Sequence, residues 1–256
     1  METAGPASVE DQVQILADLG FDGFDNRDLE GLDEQLKALD KHGLKLFTVY
    51  FSVRIDEGDE PFNPRLPELL PLLKDRGTIL WCNTMSQKLK PSDPAGDDRA
   101  VPIFQRIADM AAPYAVRVAP YPHIGLWVES PEDTVRLAGK VNRANFGTSF
   151  NLFHWRALGD KKRPLAEVVR NVAPRMMVMS INGNDGTTAV SGIAPLQENQ
   201  AAEYFEVLNA FKAAGYRGPV GLQCYQVPGD PKEHLRRSMG VWRKLKDRFE
   251  TAETAK

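Results

Sequence analysis

Apolar residues fall in short, nearly unbroken runs along this chain, and amphipathic stretches of helical period separate them. Four segments repeat one order, in which an amphipathic helix closes on a glycine or a glycine-containing turn and an apolar strand follows. They are "ILADLGFDGFD" (15–25), "KALDKHGLKLFTVYF" (37–51), "LLKDRGTILWCN" (72–83) and "NAFKAAGYRGPVGLQCY" (209–225). Gly20, Gly43, Gly77 and Gly215 suit the left-handed residue that ends a helix without a Cβ clash. Three further units, at 107–121, 137–153 and 168–182, reach the same end without that glycine. Ser8 before "VED", Ser130 before "PED" and Asp230 before "PKE" read as helix N-caps, two of them followed by proline.

This rhythm predicts seven strands, at about 21–25, 45–52, 78–84, 115–121, 146–153, 176–182 and 219–225. Each pair is separated by a helix-length segment, and a helix follows the last. Runs that do not alternate suit strands buried on both faces of a parallel sheet. An eight-stranded (β/α)8 barrel, one α/β domain over residues 1–256, accounts for the pattern if a short or truncated first strand lies in "METAG". A doubly wound open sheet is the rival, but no G-x-G-x-x-G turn occurs. The longest connections, 52–67, 84–100 and 183–200, all follow strands. In a (β/α)8 barrel those loops build the functional face.

Composition narrows the picture. The 256 residues are 42% hydrophobic and 26% charged with a net charge of −3, so nothing draws the chain to nucleic acid or an anionic membrane. No apolar stretch approaches the roughly 18 residues that span a bilayer. Cys82 and Cys224 sit in apolar runs and read as small buried hydrophobes. The N-terminal residues lack a signal-peptide pattern, which makes the cytoplasm the default expectation; a processed or trimmed start would read the same.

Candidate chemistry collects at the C-terminal ends of the strands. "APYPH" supplies Tyr121 and His123, "SFNLFHW" supplies Asn151, His154 and Trp155, and "MSINGND" supplies Ser180, Asn182 and Asp185. "GLQCYQ" adds Gln223 and Tyr225, and earlier strands add Asp22, Asp25, Tyr50, Trp81 and Asn83. Taken singly, each has an ordinary structural explanation: amides cap turns, aromatics pack, and a buried histidine is usually hydrogen-bonded. His42 closes a helix and His234 lies in a charged helical turn, which leaves His123 and His154 as candidates for proton transfer.

Over 114–155 and 218–243 the sequence resembles the sugar phosphate isomerase/epimerase family, whose members share a xylose-isomerase-like barrel. The resemblance implies a divalent metal held by strand-end carboxylates and histidines, in motifs that this chain keeps only in part. Glu-x-His corresponds to Tyr121-Pro122-His123, and Asp-x-x-His to Asn151-Leu152-Phe153-His154. His-x-Lys-Asp corresponds to Ser180-Ile181-Asn182-Gly183, and the last strand's glutamate to Gln223. Carboxylates replaced by neutral groups at several positions compensate a hard cation poorly, so no tightly held metal is expected. The two imidazoles could still hold a softer divalent ion weakly.

The expectation is therefore a carbohydrate isomerase or epimerase acting by proton abstraction beside a carbonyl. His154 and His123 are the catalytic candidates, with Tyr121, Asn151, Asn182, Gln223, Tyr225, Trp81, Trp155 and Asp25 binding the sugar. Two alternatives stand beside it: β-elimination on an oxidised (keto) glycoside, and a non-catalytic sugar-binding barrel or partner subunit. The expected partner is a small-molecule carbohydrate, with no nucleic acid or membrane and with self-association possible.

Overall fold

The structure, a computed structural model, describes residues 8–56, 58, 60–187 and 192–254. The strand expected in "METAG" lies outside the described residues. Helix α1 (Val9–Leu19) leads to β1 (Gly23–Asn26), and α2 (Leu32–Lys41) to β2 (Lys45–Arg54). A short α3 (Leu66–Leu69) precedes β3 (Ile79–Met85), α4 (Asp97–Ala111) precedes β4 (Arg117–Tyr121), and α5 (Pro131–Val141) precedes β5 (Thr148–Asn151). Two helices, α6 (Leu152–Ala157) and α7 (Leu165–Val172), then lead to β6 (Met176–Ile181). A ribbon of β7 (Gly183–Asn184) and β8 (Ile193–Ala194) is followed by α8 (Ala201–Ala213), β9 (Val220–Leu222) and α9 (Pro231–Thr254).

Strands β1 to β4 pair in chain order and in parallel, as do β5, β6 and β9. A parallel bridge between Val118 and Phe146 joins the two sets. The order β1-β2-β3-β4-β5-β6-β9 is that of barrel staves, and the outer staves approach each other through side chains. A Cβ on Gly221 of β9 would lie 2.8 Å from Asp25 Oδ2 of β1. Ile79, Trp81, Ala119, Tyr121 and Val178 pack together with Tyr50 inside the sheet. Larger apolar clusters lie outside it, under α1–α5 and under α6–α9.

The helix-ending glycines take the left-handed conformation that the sequence requires, with φ of 82° at Gly20, 67° at Gly43, 72° at Gly77 and 95° at Gly215. Two of the units without glycine use Ala115 (φ 56°) and Asn142 (φ 49°) for the same turn. Ser8 and Ser130 form complete capping boxes with Asp11 and Asp133. Asp133 Oδ2 also accepts from the backbone of Glu129 and from Ser92, so it anchors the segment after β4. Ser130→Ala is expected to cost about 1 kcal/mol of unfolding free energy, measured by urea denaturation.

Three expectations are corrected. The segment between β2 and β3 carries only four α-helical residues, because Pro71 lacks the N–H that would continue α3, and a 3₁₀ turn takes over at Leu70–Leu73. The strand expected at 146–153 stops at Asn151, and Leu152 already begins a helix. The loop 183–200 contains the antiparallel β7–β8 ribbon. Gly183 permits that ribbon, since a Cβ there would lie 1.9 Å from the Pro195 carbonyl oxygen.

Candidate active site

The site starts where β5 becomes α6 without an intervening loop. Asn151 is the last strand residue and also the N-cap of the helix: its Oδ1 accepts the backbone N–H of His154 at 2.9 Å. That bond fixes the amide's orientation and turns Nδ2 into the barrel. There its two N–H groups are shared among Ser180 Oγ (2.7 Å), Gln223 Oε1 (2.8 Å) and the Tyr121 hydroxyl (3.0 Å). Gln223 is oriented in turn, because its oxygen faces Asn151 and its Nε2 donates to the Tyr121 hydroxyl at 3.2 Å.

His154, at the third position of α6, is oriented from both ends. The backbone N–H of Ile124 points at its Nδ1 (3.4 Å), which makes Nδ1 the acceptor and Nε2 the N–H, and Nε2 meets the Tyr121 hydroxyl at 3.0 Å. Its ring lies 3.9 Å from that of His123, tilted by 36°. Burial, reinforced by the neighbouring imidazole, holds the His154 pKa well below the ordinary value of 6.5. His123 contacts the Ile124 carbonyl oxygen through Nδ1 at 2.8 Å, so Nδ1 carries the hydrogen and Nε2 the lone pair. Burial lowers its pKa as well, and His123 is only partly covered.

Below this polar cup lies an aromatic and hydroxyl layer. Tyr50 stacks on Trp81 (5.3 Å), and Tyr121 meets Trp81 edge-on at 4.5 Å. Trp81 Nε1 donates to Ser149 Oγ, which donates to the Pro120 carbonyl. Tyr50 and Tyr121 are hydrogen-bonded to each other, and burial raises both phenols. Asp25 accepts from Thr48 Oγ1 at 2.9 Å, and burial pushes its carboxyl up to about 6.

The fold thus gathers Tyr121, Asn151, His154 and Gln223 into one bonded cluster, sets the His123 ring against it, and places Trp81 and Asp25 in or beside the layer beneath. Asn182 is buried; its Nδ2 donates to the Gly183 carbonyl, and its Oδ1 meets no partner among the described residues. Tyr225 is 51% exposed beyond the end of β9. Trp155 does not join the cluster. Because α6 begins at Leu152, its ring turns outward to pack on Phe150, donates to the Arg163 carbonyl and lies under Lys162. Ser180 and Tyr50, strand-end candidates given no role in sugar binding, are structural members of the site, and Thr48 is a further one that the candidate set omits. Strand alternation is the signal for Ser180, since Val178, Ser180 and Asn182 share one face.

These residues do not fit a hard divalent cation. Asn151 offers an amide nitrogen, which has no lone pair to give, and the Gln223 oxygen is occupied by it. Both His154 nitrogens are engaged, so His154 has no lone pair open to an ion. Among the described residues, no three His, Cys, Asp or Glu side chains converge as a metal site would require.

Residues 13–245 match the family described as the xylose isomerase-like TIM barrel. The chain belongs to that family. Solved structures agree on the fold at low identity. A D-allulose 3-epimerase from Methylomonas sp. superposes with a TM-score of 0.72 at 16% identity, covering 94% of each chain. A 3-keto-D-glucoside 4-epimerase, YcjR, from E. coli gives 0.69 at 15%, covering 96% of this chain and 97% of its own. The IOLI protein, whose structure holds a zinc atom, gives 0.71 at 16%, covering 94% and 92%. No curated relative matches the sequence. What these comparisons share is the barrel; in this chain its strand ends carry amides, phenols and imidazoles. Among the described residues no helix is long and apolar enough to cross a membrane.

Proposed function

We propose that this family member is a carbohydrate isomerase or epimerase that takes a proton from the carbon beside a sugar carbonyl without a tightly held metal. The observation that carries the reading is His123. Its Nδ1–H is tied to a carbonyl, its Nε2 meets no partner among the described residues, and burial favours its neutral form beside a group of N–H donors of fixed direction. In such a site the imidazole removes the proton and the donors receive the charge that develops on the carbonyl oxygen. The fold shared with two named sugar epimerases supports the substrate class. None of the side chains bonded in the cup is cationic, which favours an unphosphorylated sugar.

Incubating the protein with a panel of ketoses and 3-keto-glycosides in D2O tests this. Deuterium is expected at a carbon next to the carbonyl, at a rate unchanged by EDTA, with less than one metal per chain by elemental analysis. Exchange that stops on chelation and returns with Mn²⁺ overturns the metal-free reading. Loss of a β-substituent after the same proton removal would make the protein a lyase on oxidised glycosides, seen as an absorbing unsaturated product. One observation favours a non-catalytic sugar-binding barrel: Tyr121, Asn151 and His154 are at most 3% exposed and bonded to one another. Heat of sugar binding without any exchange is the result expected of it.

A further inference from the structure

We infer that the Tyr121 hydroxyl is the catalytic acid that protonates the sugar carbonyl oxygen, and that Asn151, Gln223 and His154 form a cradle set in advance for the phenolate left behind. The inference rests on the proposed reaction. Its basis is that three nitrogens surround one phenol oxygen: His154 Nε2 at 3.0 Å, Gln223 Nε2 at 3.2 Å, and Asn151 Nδ2 at 3.0 Å, whose two hydrogens are shared with Ser180 Oγ and Gln223 Oε1.

None of these donors is free to reverse. Asn151 is fixed by its helix cap, Gln223 by the Asn151 nitrogen on its oxygen, and His154 by the Ile124 N–H on Nδ1. A neutral phenol oxygen uses about two acceptor positions, which the His154 and Gln223 donors already fill, and the shared Asn151 hydrogen beyond them suits an anion. In an apolar enclosure donors already in place stabilise a developing charge without reorganisation. The groups facing Tyr121 are Tyr50 from β2, Asp25 from β1, His154 from α6 and its near neighbour His123. His154 is unsuited to the acid's task itself, since both its nitrogens are engaged.

In the proposed step the C–H bond beside the carbonyl breaks and His123 Nε2 takes the proton. The C–H electron pair forms the C=C bond, and the carbonyl π pair moves to oxygen and takes the Tyr121 hydrogen, giving an enediol, an imidazolium and a phenolate. If the enediol turns so that His123 returns the proton to the opposite face, and Tyr121 recovers its hydrogen from the same oxygen, the epimer forms. If the proton goes to the neighbouring carbon and Tyr121 takes the hydrogen of the other enediol hydroxyl, the isomer forms. Both residues are restored in either case. No oxidant or reductant is consumed.

The test uses the full chain with fluorotyrosines of graded acidity at position 121, together with Tyr121→Phe and Gln223→Met. With D-allulose and a 3-keto-D-glucoside as probes in D2O, Tyr121→Phe is expected to lower the kcat for exchange roughly 100-fold or more with little change in KM. The alkaline limb of the kcat profile should follow the fluorotyrosine's acidity. By ¹⁹F NMR, the same fluorotyrosine should ionise about one pH unit higher in Gln223→Met, because a donor to the phenolate is gone. A phenol whose ionisation ignores Gln223→Met overturns the cradle. Exchange that persists in Tyr121→Phe overturns the inference while the proposed function stands. No exchange by the unmodified protein overturns that function and this inference with it.

Discussion

Asp25→Asn should raise the unfolding free energy by about 3 kcal/mol at pH 8 and by little below pH 4. The carboxyl's pKa is pushed up from 3.8 to about 6 by burial, which the Thr48 hydrogen bond offsets only in part. A group whose pKa is raised on folding stabilises the fold below its unfolded value, and that contribution is lost as pH rises through the folded value. Above pH 6 the protein therefore keeps an ionised carboxylate in the barrel, at a cost of about 1.4 kcal/mol for every tenfold weakening of the acid. Asparagine can accept the same Thr48 hydroxyl without the charge. Urea denaturation at several pH values measures the difference, and a gain of equal size at pH 4 and pH 8 would exclude ionisation as its source. The carboxylate's field also reaches both buried phenols and pushes them up, so the neutral variant should ease ionisation of Tyr121.

His123→Gln should reduce deuterium exchange into a sugar substrate by about 10²- to 10⁴-fold, the usual contribution of a positioned base. Because burial lowers the His123 pKa below 6.5, the wild-type rate should stay flat from pH 8 to about 6.5 and fall only in more acidic solution. The variant should show no such acid limb. His154 gives a separate signal, in stability. Its pKa is depressed on folding, so its contribution is fully present above 6.5 and is lost as pH falls toward its folded value. A His123→Gln protein that exchanges substrate at the wild-type rate would move the base elsewhere in the cup.

The helix–glycine–strand grammar makes the barrel order readable, because a left-handed residue and a buried apolar run are both local demands. Seven expected strands correspond to the seven parallel strands, although the strand at 146–153 ends early. There the apolar residues after Asn151 look equally suited to strand or helix, and only the Asn151 cap, a bond across three residues, decides the outcome. The same early stop sends Trp155 outward, away from the residues next to it in sequence. Tyr121, Asn151, His154 and Gln223 are visible as polar groups at strand ends. Their bonded directions are not, since Asn151 and Gln223 lie 72 residues apart and meet only when β5 and β9 flank β6. In the layer beneath, Asp25 and Tyr50 are visible as strand-end groups, but Thr48, which bonds to Asp25, reads as ordinary strand packing.

Asn151 has two tasks, starting a helix with one atom and filling the cup with the other. An aspartate could still start the helix, yet it would remove a hydrogen from Tyr121 and Ser180 and make the Gln223 amide turn over to present Nε2 to the carboxylate. A carboxylate-lined, cation-holding version of this pocket thus disturbs several bonds at once: a change at Asn151 reorients Gln223 and alters the donors that reach the phenol at 121. Local geometry locks this pocket's chemistry against piecemeal substitution.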